Sequence, residues 1–363
     1  MKKSILKFLG YLCGLIFLCS TPLHAIVPPK TIQEMGREQL LFLLSGEWVS
    51  RALYVATRLE VADHLCQGPK SLEELARVTQ SHPESLCRLL RMLAEFQVFQ
   101  EVAPCVFANT EMSSLLAKSH PETLHCLSLF YGEDMHKAWE ELFGSVQTGK
   151  PAFDLIFKES VFNYFKANPV RAQLFQQAMK EKSMAVIHSA LSSYDFGAAG
   201  QLFDIGGGYG QFMEALIQKY PSLQGTLLEL PEVVQTIRKS RPDLEKRCTL
   251  IPGDFFESIP KRGKLYLLKS VLHDWDDEKC LKILRNCHGA MEGGSKLLIL
   301  EVVLTPTGHS SYASCMDLLM MAVTGGKERS LEAFQQMLES SGFVLEHIYP
   351  TSTEFSILEA RKK

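Results

Sequence analysis

In the run Asp204-Ile205-Gly206-Gly207-Gly208-Tyr209-Gly210, an acid is followed by glycines at 206, 208 and 210. A turn without side chains lets a ligand lie against the backbone, and the carboxylate two residues earlier can accept hydrogen bonds from that ligand. Leu202, Phe203 and Ile205 around the acid read as the end of a buried parallel strand. Gln211 to Ile217 then carries apolar residues at helical spacing. Strand, glycine turn and helix make the first unit of a doubly wound α/β fold that binds a nucleotide. A dinucleotide fingerprint needs its third glycine at 211, where this chain has Gln211. The nucleotide is of another kind.

Such a fold holds its ribose with an acid about 20 residues further on. Glu229, ending Gly225-Thr226-Leu227-Leu228, fills that place, and Pro231 suits the first turn of a helix from Glu232 to Lys239. A third strand, Cys248 to Pro252, runs into Gly253-Asp254-Phe255-Phe256. There an acid beside an aromatic can hydrogen-bond and stack on an adenine. A fourth strand, Lys264 to Leu272, ends at His273-Asp274-Trp275-Asp276-Asp277. Ligands of open α/β sheets lie beyond the carboxyl ends of the strands. His273 is thereby placed beside the cofactor, where a neutral imidazole can take a proton from a substrate hydroxyl. Asp276 or Asp277 reads as the cap of the next helix. A fifth strand, Ser295 to Leu300, leads to Glu301, and Gly325-Gly326-Lys327-Glu328-Arg329-Ser330 precedes a helix from Leu331 to Ser340. A carboxylate at the second nitrogen of an imidazole fixes its tautomer and raises its basicity. Either glutamate could instead be a surface residue or a helix-start charge.

Taken in order, Asp204-Ile-Gly206-Gly207-Gly208-Tyr-Gly210, Leu-Glu229-Leu-Pro231, Gly253-Asp254-Phe255-Phe256, Lys269-Ser-Val-Leu-His273-Asp274-Trp275 and Gly325-Gly326-Lys327-Glu328-Arg329 resemble one family. It is the caffeate/hydroxyindole type of small-molecule O-methyltransferase, with its bacterial hydroxyneurosporene methyltransferase branch, which uses S-adenosylmethionine (SAM). The likeness covers nearly all of the chain beyond about residue 35. It implies a Rossmann-like class I methyltransferase sheet, α/β in class, with an N-terminal winged-helix dimerisation domain. It further implies His273 as general base flanked by Glu301 and Glu328, with Asp204, Gly206, Gly208, Gly210, Glu229, Asp254, Phe255 and Lys269 around the cofactor and no metal. The family usually carries aspartate where Glu229 stands; the charge and acceptor pattern survive. A phenol is the easier acceptor, because its proton is acidic enough for a histidine base. The acceptor itself stays open among small hydroxylated compounds. A SAM-binding protein without catalysis, or an N- or C-methyltransferase of the same fold, is the alternative, and the retained His273, Glu301 and Glu328 argue against it.

With 363 residues, 46% of them hydrophobic, the chain can bury sizeable cores in two or three domains. A net charge of −3 without a basic block leaves no electrostatic footprint for nucleic acid. Residues 36 to 65 read as amphipathic helices, Ser71 and Glu74 as a capping-box-like helix start, and 98–102 with 106–108 as a small hairpin. That outline, within 36–120, is a winged helix. Its second helix, Pro83 to Leu93, carries Arg88 and Arg91 but is mostly apolar, which points to a core or a subunit contact in a homodimer rather than to DNA. Dense aromatics from 121 to 194 read mostly as core, with several lining an acceptor pocket, and 195–363 is the catalytic domain. Met1-Lys2-Lys3, a run of about 12 apolar residues and Ala25 read as a secretory signal over 1–25, too short to span a membrane. Export conflicts with a SAM-dependent reaction and with scattered, unpatterned cysteines. Synthesis starting at Met35, in the cytoplasm, would remove the conflict.

Overall fold

The structure, a computed structural model, describes residues 32–305 and 310–363, apart from the side chains of 32–35 and 311. The signal-like segment lies outside the described residues. Among the described residues no helix is long and apolar enough to cross a membrane. The chain divides between Arg51 and Ala52 into two units. The first holds helix Ile32–Leu44 and the start of helix Gly46–Arg58. Leu43, Leu44 and Trp48 are 65–70% exposed on it.

The second unit begins with helices around a small sheet. Strand β1 (Lys70–Ser71) leads into helix Leu72–Val78, helix Pro83–Glu95 and the hairpin β2 (Phe99–Ala103) and β3 (Val106–Asn109). The strands lie antiparallel in the order β1-β3-β2. The Oγ of Ser71 accepts from the Glu74 N–H at 3.2 Å and starts the first helix, although the Glu74 carboxylate turns to Lys70 rather than closing a capping box. Pro83 occupies the first turn of the second helix, whose Leu86, Leu90 and Leu93 are at most 2% exposed against Leu75 and Phe107. Each leucine so buried stabilises the unit by about 1.5–3 kcal/mol. Arg91, on the other face, pairs with Glu101 at 2.8 Å. The mostly apolar helix is thus core on one side and self-paired on the other.

Aromatics dominate the following helices: Phe130, Phe153 and Phe165 are buried with Phe175 packed against them, whereas Phe143 is 74% exposed. A five-residue π-helix, Tyr131–Met135, interrupts this run. Helix Pro169–Ser193 then crosses to the large sheet.

That sheet contains β4 (Gln201–Ile205), β5 (Gln224–Glu229), β6 (Cys248–Pro252), β7 (Leu265–Lys269), β8 (Lys296–Leu304), the two-residue β9 (Arg329–Ser330), β10 (Phe343–Pro350) and β11 (Phe355–Lys362). Its order is β10-β11-β8-β7-β4-β5-β6, with β9 pairing beside β8. From β8 to β6 all pairings are parallel, and β11 and β10 close the edge antiparallel. Helices cover both faces over two apolar clusters, so β4 and β7 read as continuous buried runs. The direction of winding reverses between β4 and β7, and in open α/β sheets the ligand crevice lies beyond the carboxyl ends at such a switch point.

Two strand boundaries differ from the sequence expectation. The fourth strand stops at Lys269, because Ser270 takes a left-handed conformation (φ +52°) and turns the chain into a short 3-10 helix, Leu272–Asp274. The fifth runs on to Leu304, so Glu301 sits inside a strand rather than at its end. Pairing with β11, where Ser356 lies opposite Glu301, satisfies the backbone there, and the buried carboxylate finds partners of its own.

Candidate active site

Asp204 is the penultimate residue of β4, 1% exposed, and among the described residues neither carboxylate oxygen has a hydrogen-bond partner. Burial raises its pKa to about 7, with Lys269 pulling the other way. A side chain at 207 would place its Cβ 2.4 Å from Asp204 Oδ2, so only glycine lets the loop pass over the acid. The Gly206 N–H donates to Leu228 O at 2.9 Å, tying the loop to β5. Glu229 ends β5, and its two oxygens accept from the Gly208 N–H (3.0 Å) and its neighbour Leu230 N–H (2.7 Å). Burial lifts this carboxyl also to about 7 against those two donors. Asp254 Oδ1 accepts from the Phe256 N–H at 2.7 Å. The Phe255 ring lies where a Cβ on Gly206 would meet it at 3.2 Å. Gly210 adopts φ +76° as the cap of helix Gln211–Lys219. Asp204, Gly206, Gly208, Glu229 and Phe255 therefore share one end of the sheet.

The second group gathers around the turn after β7. His273 is 8% exposed, and its Nδ1 hydrogen-bonds Glu328 Oε1 at 2.9 Å. Glu301 Oε2 lies 3.6 Å from the same nitrogen. Its other oxygen, Oε1, accepts from the Val271 and Leu272 N–H groups, both at 2.9 Å. The two glutamates thus play different parts, since Glu328 engages the ring and Glu301 holds the backbone that carries it. Asp274 Oδ1 is 3.9 Å from His273 Nε2. Burial alone would lower the imidazole pKa, but the charges of Glu301, Asp274 and Glu328 outweigh it and lift it to about 9. Burial raises the pKa of Glu301, which His273 holds down.

The Gly-Gly-Lys-Glu-Arg segment builds this arrangement residue by residue. A Cβ on Gly326 would fall 1.9 Å from His273 O, and Lys327 N–H donates to that oxygen at 3.0 Å. Only glycine permits so close an approach. Lys327 Nζ and Arg329 Nη2 both reach Asp277, at 2.7 and 2.9 Å. Arg329, 2% exposed, also donates to Leu272 O (2.9 Å) and Trp275 O (2.7 Å). Asp276, not Asp277, caps the next helix, its Oδ1 accepting from the Lys279 N–H at 2.9 Å. Asp317 Oδ1 accepts from the Glu328 N–H at 2.9 Å and fixes the segment from the other side.

Lys269 ends β7 and donates to Ser183 Oγ at 3.2 Å. Sequence reasoning singled out neither Ser183 nor its neighbour Lys182, because both come from helix Pro169–Ser193, far from every motif. Asp274 was legible only as part of the H-D-W run, and Asp317 had no sequence signal at all.

An O-methyltransferase domain matches residues 139–344, and an O-methyltransferase dimerisation domain matches residues 41–119. The phenazine O-methyltransferase PhzM of Lysobacter antibioticus is 36% identical over 324 residues, covering 89% of this chain and 95% of that one. The mitomycin biosynthesis 6-O-methyltransferase of Streptomyces lavendulae is 36% identical over 327 residues, covering 89% and 93%. The crystal structure of human N-acetylserotonin methyltransferase with SAM superposes with a TM-score of 0.86 at 25% identity, over 92% of this chain and 99% of that one. The chain belongs to this O-methyltransferase family, whose methyl donor is SAM.

Proposed function

We propose that the chain transfers a methyl group from SAM to a hydroxyl of a small aromatic acceptor, with His273 as the general base. The observation that carries this is the His273–Glu328 hydrogen bond of 2.9 Å at the crevice beyond β7. Glu328 holds the proton on Nδ1 and leaves Nε2 to face the acceptor, the division of labour of a base and its orienting acid. Glu301 acts as a positioning residue through the backbone of Val271 and Leu272.

SAM suits the residues at β4 and β5. The two unpartnered oxygens of Asp204 ask for donors from a ligand, since a buried carboxylate without them is costly. Glu229 keeps free lone pairs beside its two backbone bonds and can accept from ribose hydroxyls. Phe255 offers a ring face and Asp254 an acceptor for the adenine, and Lys269 stands between Asp204 and Ser183. When bound, SAM supplies a methyl already activated on a sulfonium. What remains for the chain is to align the acceptor oxygen and remove its proton. His273, Glu301 and Glu328 bring ligand atoms within 4.8 Å of one another. The two N–H groups aimed at Glu301 Oε1 suit a protonated Nδ1 there better than a cation. The Lysobacter and Streptomyces relatives named above are O-methyltransferases, and phenazine is itself aromatic, in keeping with this reading.

Residues 36–120 are read as a winged helix serving a homodimer: a helix pair and a hairpin match the outline, and the exposed apolar helix Ile32–Leu44 offers surface to a second copy. His273→Ala is expected to keep SAM affinity and lose about 10²–10⁴-fold in kcat on phenolic acceptors. Turnover at the wild-type rate would remove the base assignment.

A further inference from the structure

Among the described residues Lys182 has no opposite charge within ion-pair distance, and it has no place in the mechanism above. Its Nζ donates only to the Met316 thioether sulfur, at 3.2 Å, among the described residues. A thioether is a weak acceptor, and an ammonium leaves water at a cost unless it is paired. Burial lowers its proton affinity, while Tyr312, Glu328 and Asp274 restore part of it. The residue nonetheless keeps some accessible surface. A group lining a recess, rather than an open face, combines those two properties.

Neighbouring residues on a helix point about 100° apart. Ser183 turns toward Lys269, which lies in the field of Asp204 on the cofactor side. Lys182 turns instead toward Met316 and Tyr312 on helix Ser311–Val323, the helix whose Asp317 steadies Glu328. The ammonium therefore shares Asp274 and Glu328 with His273, and its charge also reaches Lys269.

We propose that Lys182 is a specificity-determining residue of the acceptor site, and that its ammonium binds a carboxylate carried on the same aromatic ring system as the reacting hydroxyl. The acceptor class is thus a hydroxylated aromatic acid. A carboxylate supplies the missing partner, anchors one end of a flat molecule and presents the hydroxyl toward His273. This rests on the proposed function, because it names the substrate of the same site. A carboxylate could also come from the amino-acid end of SAM, and the experiment separates the two sources.

The test is calorimetric titration of the protein loaded with S-adenosylhomocysteine, using 1-hydroxy-2-naphthoate and its neutral counterpart 1-hydroxy-2-naphthamide. Wild type is expected to bind the acid roughly 10- to 100-fold more tightly than the amide, the range of a charge-assisted hydrogen bond. Lys182→Met should erase that preference by weakening the acid alone, and Lys182→Arg should keep most of it. The affinity of both variants for SAM should match wild type, which also shows that they fold. Equal binding of acid and amide by wild type, or binding of neither, overturns the proposal. So does a Lys182→Met variant that weakens SAM, since the carboxylate would then be the cofactor's. Failure of the protein to bind SAM at all would instead overturn the functional reading beneath it.

Discussion

Two groups of buried ionisable residues stand at neighbouring strand ends, and they are finished to different degrees. At β4 the Asp204 carboxylate has no partner on either oxygen. At the turn after β7, His273, Glu301, Glu328 and the backbone between them are tied by hydrogen bonds through one oxygen of each glutamate, while Glu301 Oε2 and Glu328 Oε2 have no hydrogen-bond partner among the described residues. The first group leaves its acid with both oxygens unbonded, and the second has one oxygen of each glutamate bonded to fix the ring and the backbone that carries it. A binding residue can store its desolvation cost until the ligand relieves it. A base that must meet an acceptor within a few tenths of an ångström has to be in place beforehand.

The contrast is broken most strongly at Asp204. Asp204→Asn should weaken SAM by about 10- to 100-fold in a calorimetric titration, the loss of charge-assisted bonds. The ligand-free protein should respond in the opposite sense. A carboxyl raised from 3.8 to about 7 in the fold gives stability that is present below its unfolded value and lost as the pH rises through 7. The variant should therefore melt higher than wild type above pH 7 without SAM. For the same reason SAM affinity in wild type should fall as the pH drops below about 7, where Asp204 and Glu229 take up protons. A flat affinity between pH 5 and 8 would count against both assignments.

Glu328→Gln should lower kcat about 10- to 100-fold, because the imidazole loses its anionic orienting partner. It should also shift the pH profile. Glu328 helps to raise His273 to about 9, so kcat/KM of wild type should climb with pH toward that value, and the variant's acid limb should lie lower. Glu301→Gln is expected to be mildest, within about tenfold, since its amide oxygen can still accept from Val271 and Leu272. If Glu301→Gln proved more harmful than Glu328→Gln, the division between ring partner and backbone partner would be reversed.

The order of strands and the position of His273 at a strand end were readable because glycines, prolines and apolar runs act locally. Glu301 shows where local reading stops. A charge after the four apolar residues Leu297 to Leu300 looks like the end of a strand, yet Val302 and Val303 continue it. The reason is pairing with β11, more than 50 residues later. The cap that the spacing left between Asp276 and Asp277 is settled the same way: two cations from 327 and 329 engage Asp277, and Asp276 caps the helix. Lys182 was invisible for the same cause, since its meaning depends on which helix lies opposite.

The close passage of Gly326 over the His273 carbonyl has a consequence for how the molecule is made. The base lies near the middle of the catalytic half, but Glu328, which orients it, comes 55 residues later, and β11, which closes over Glu301, comes later still. During synthesis the cofactor loop and its first strands leave the ribosome well before these parts. A nascent chain thus carries the proposed cofactor residues before the segment and the strand that set the proposed base.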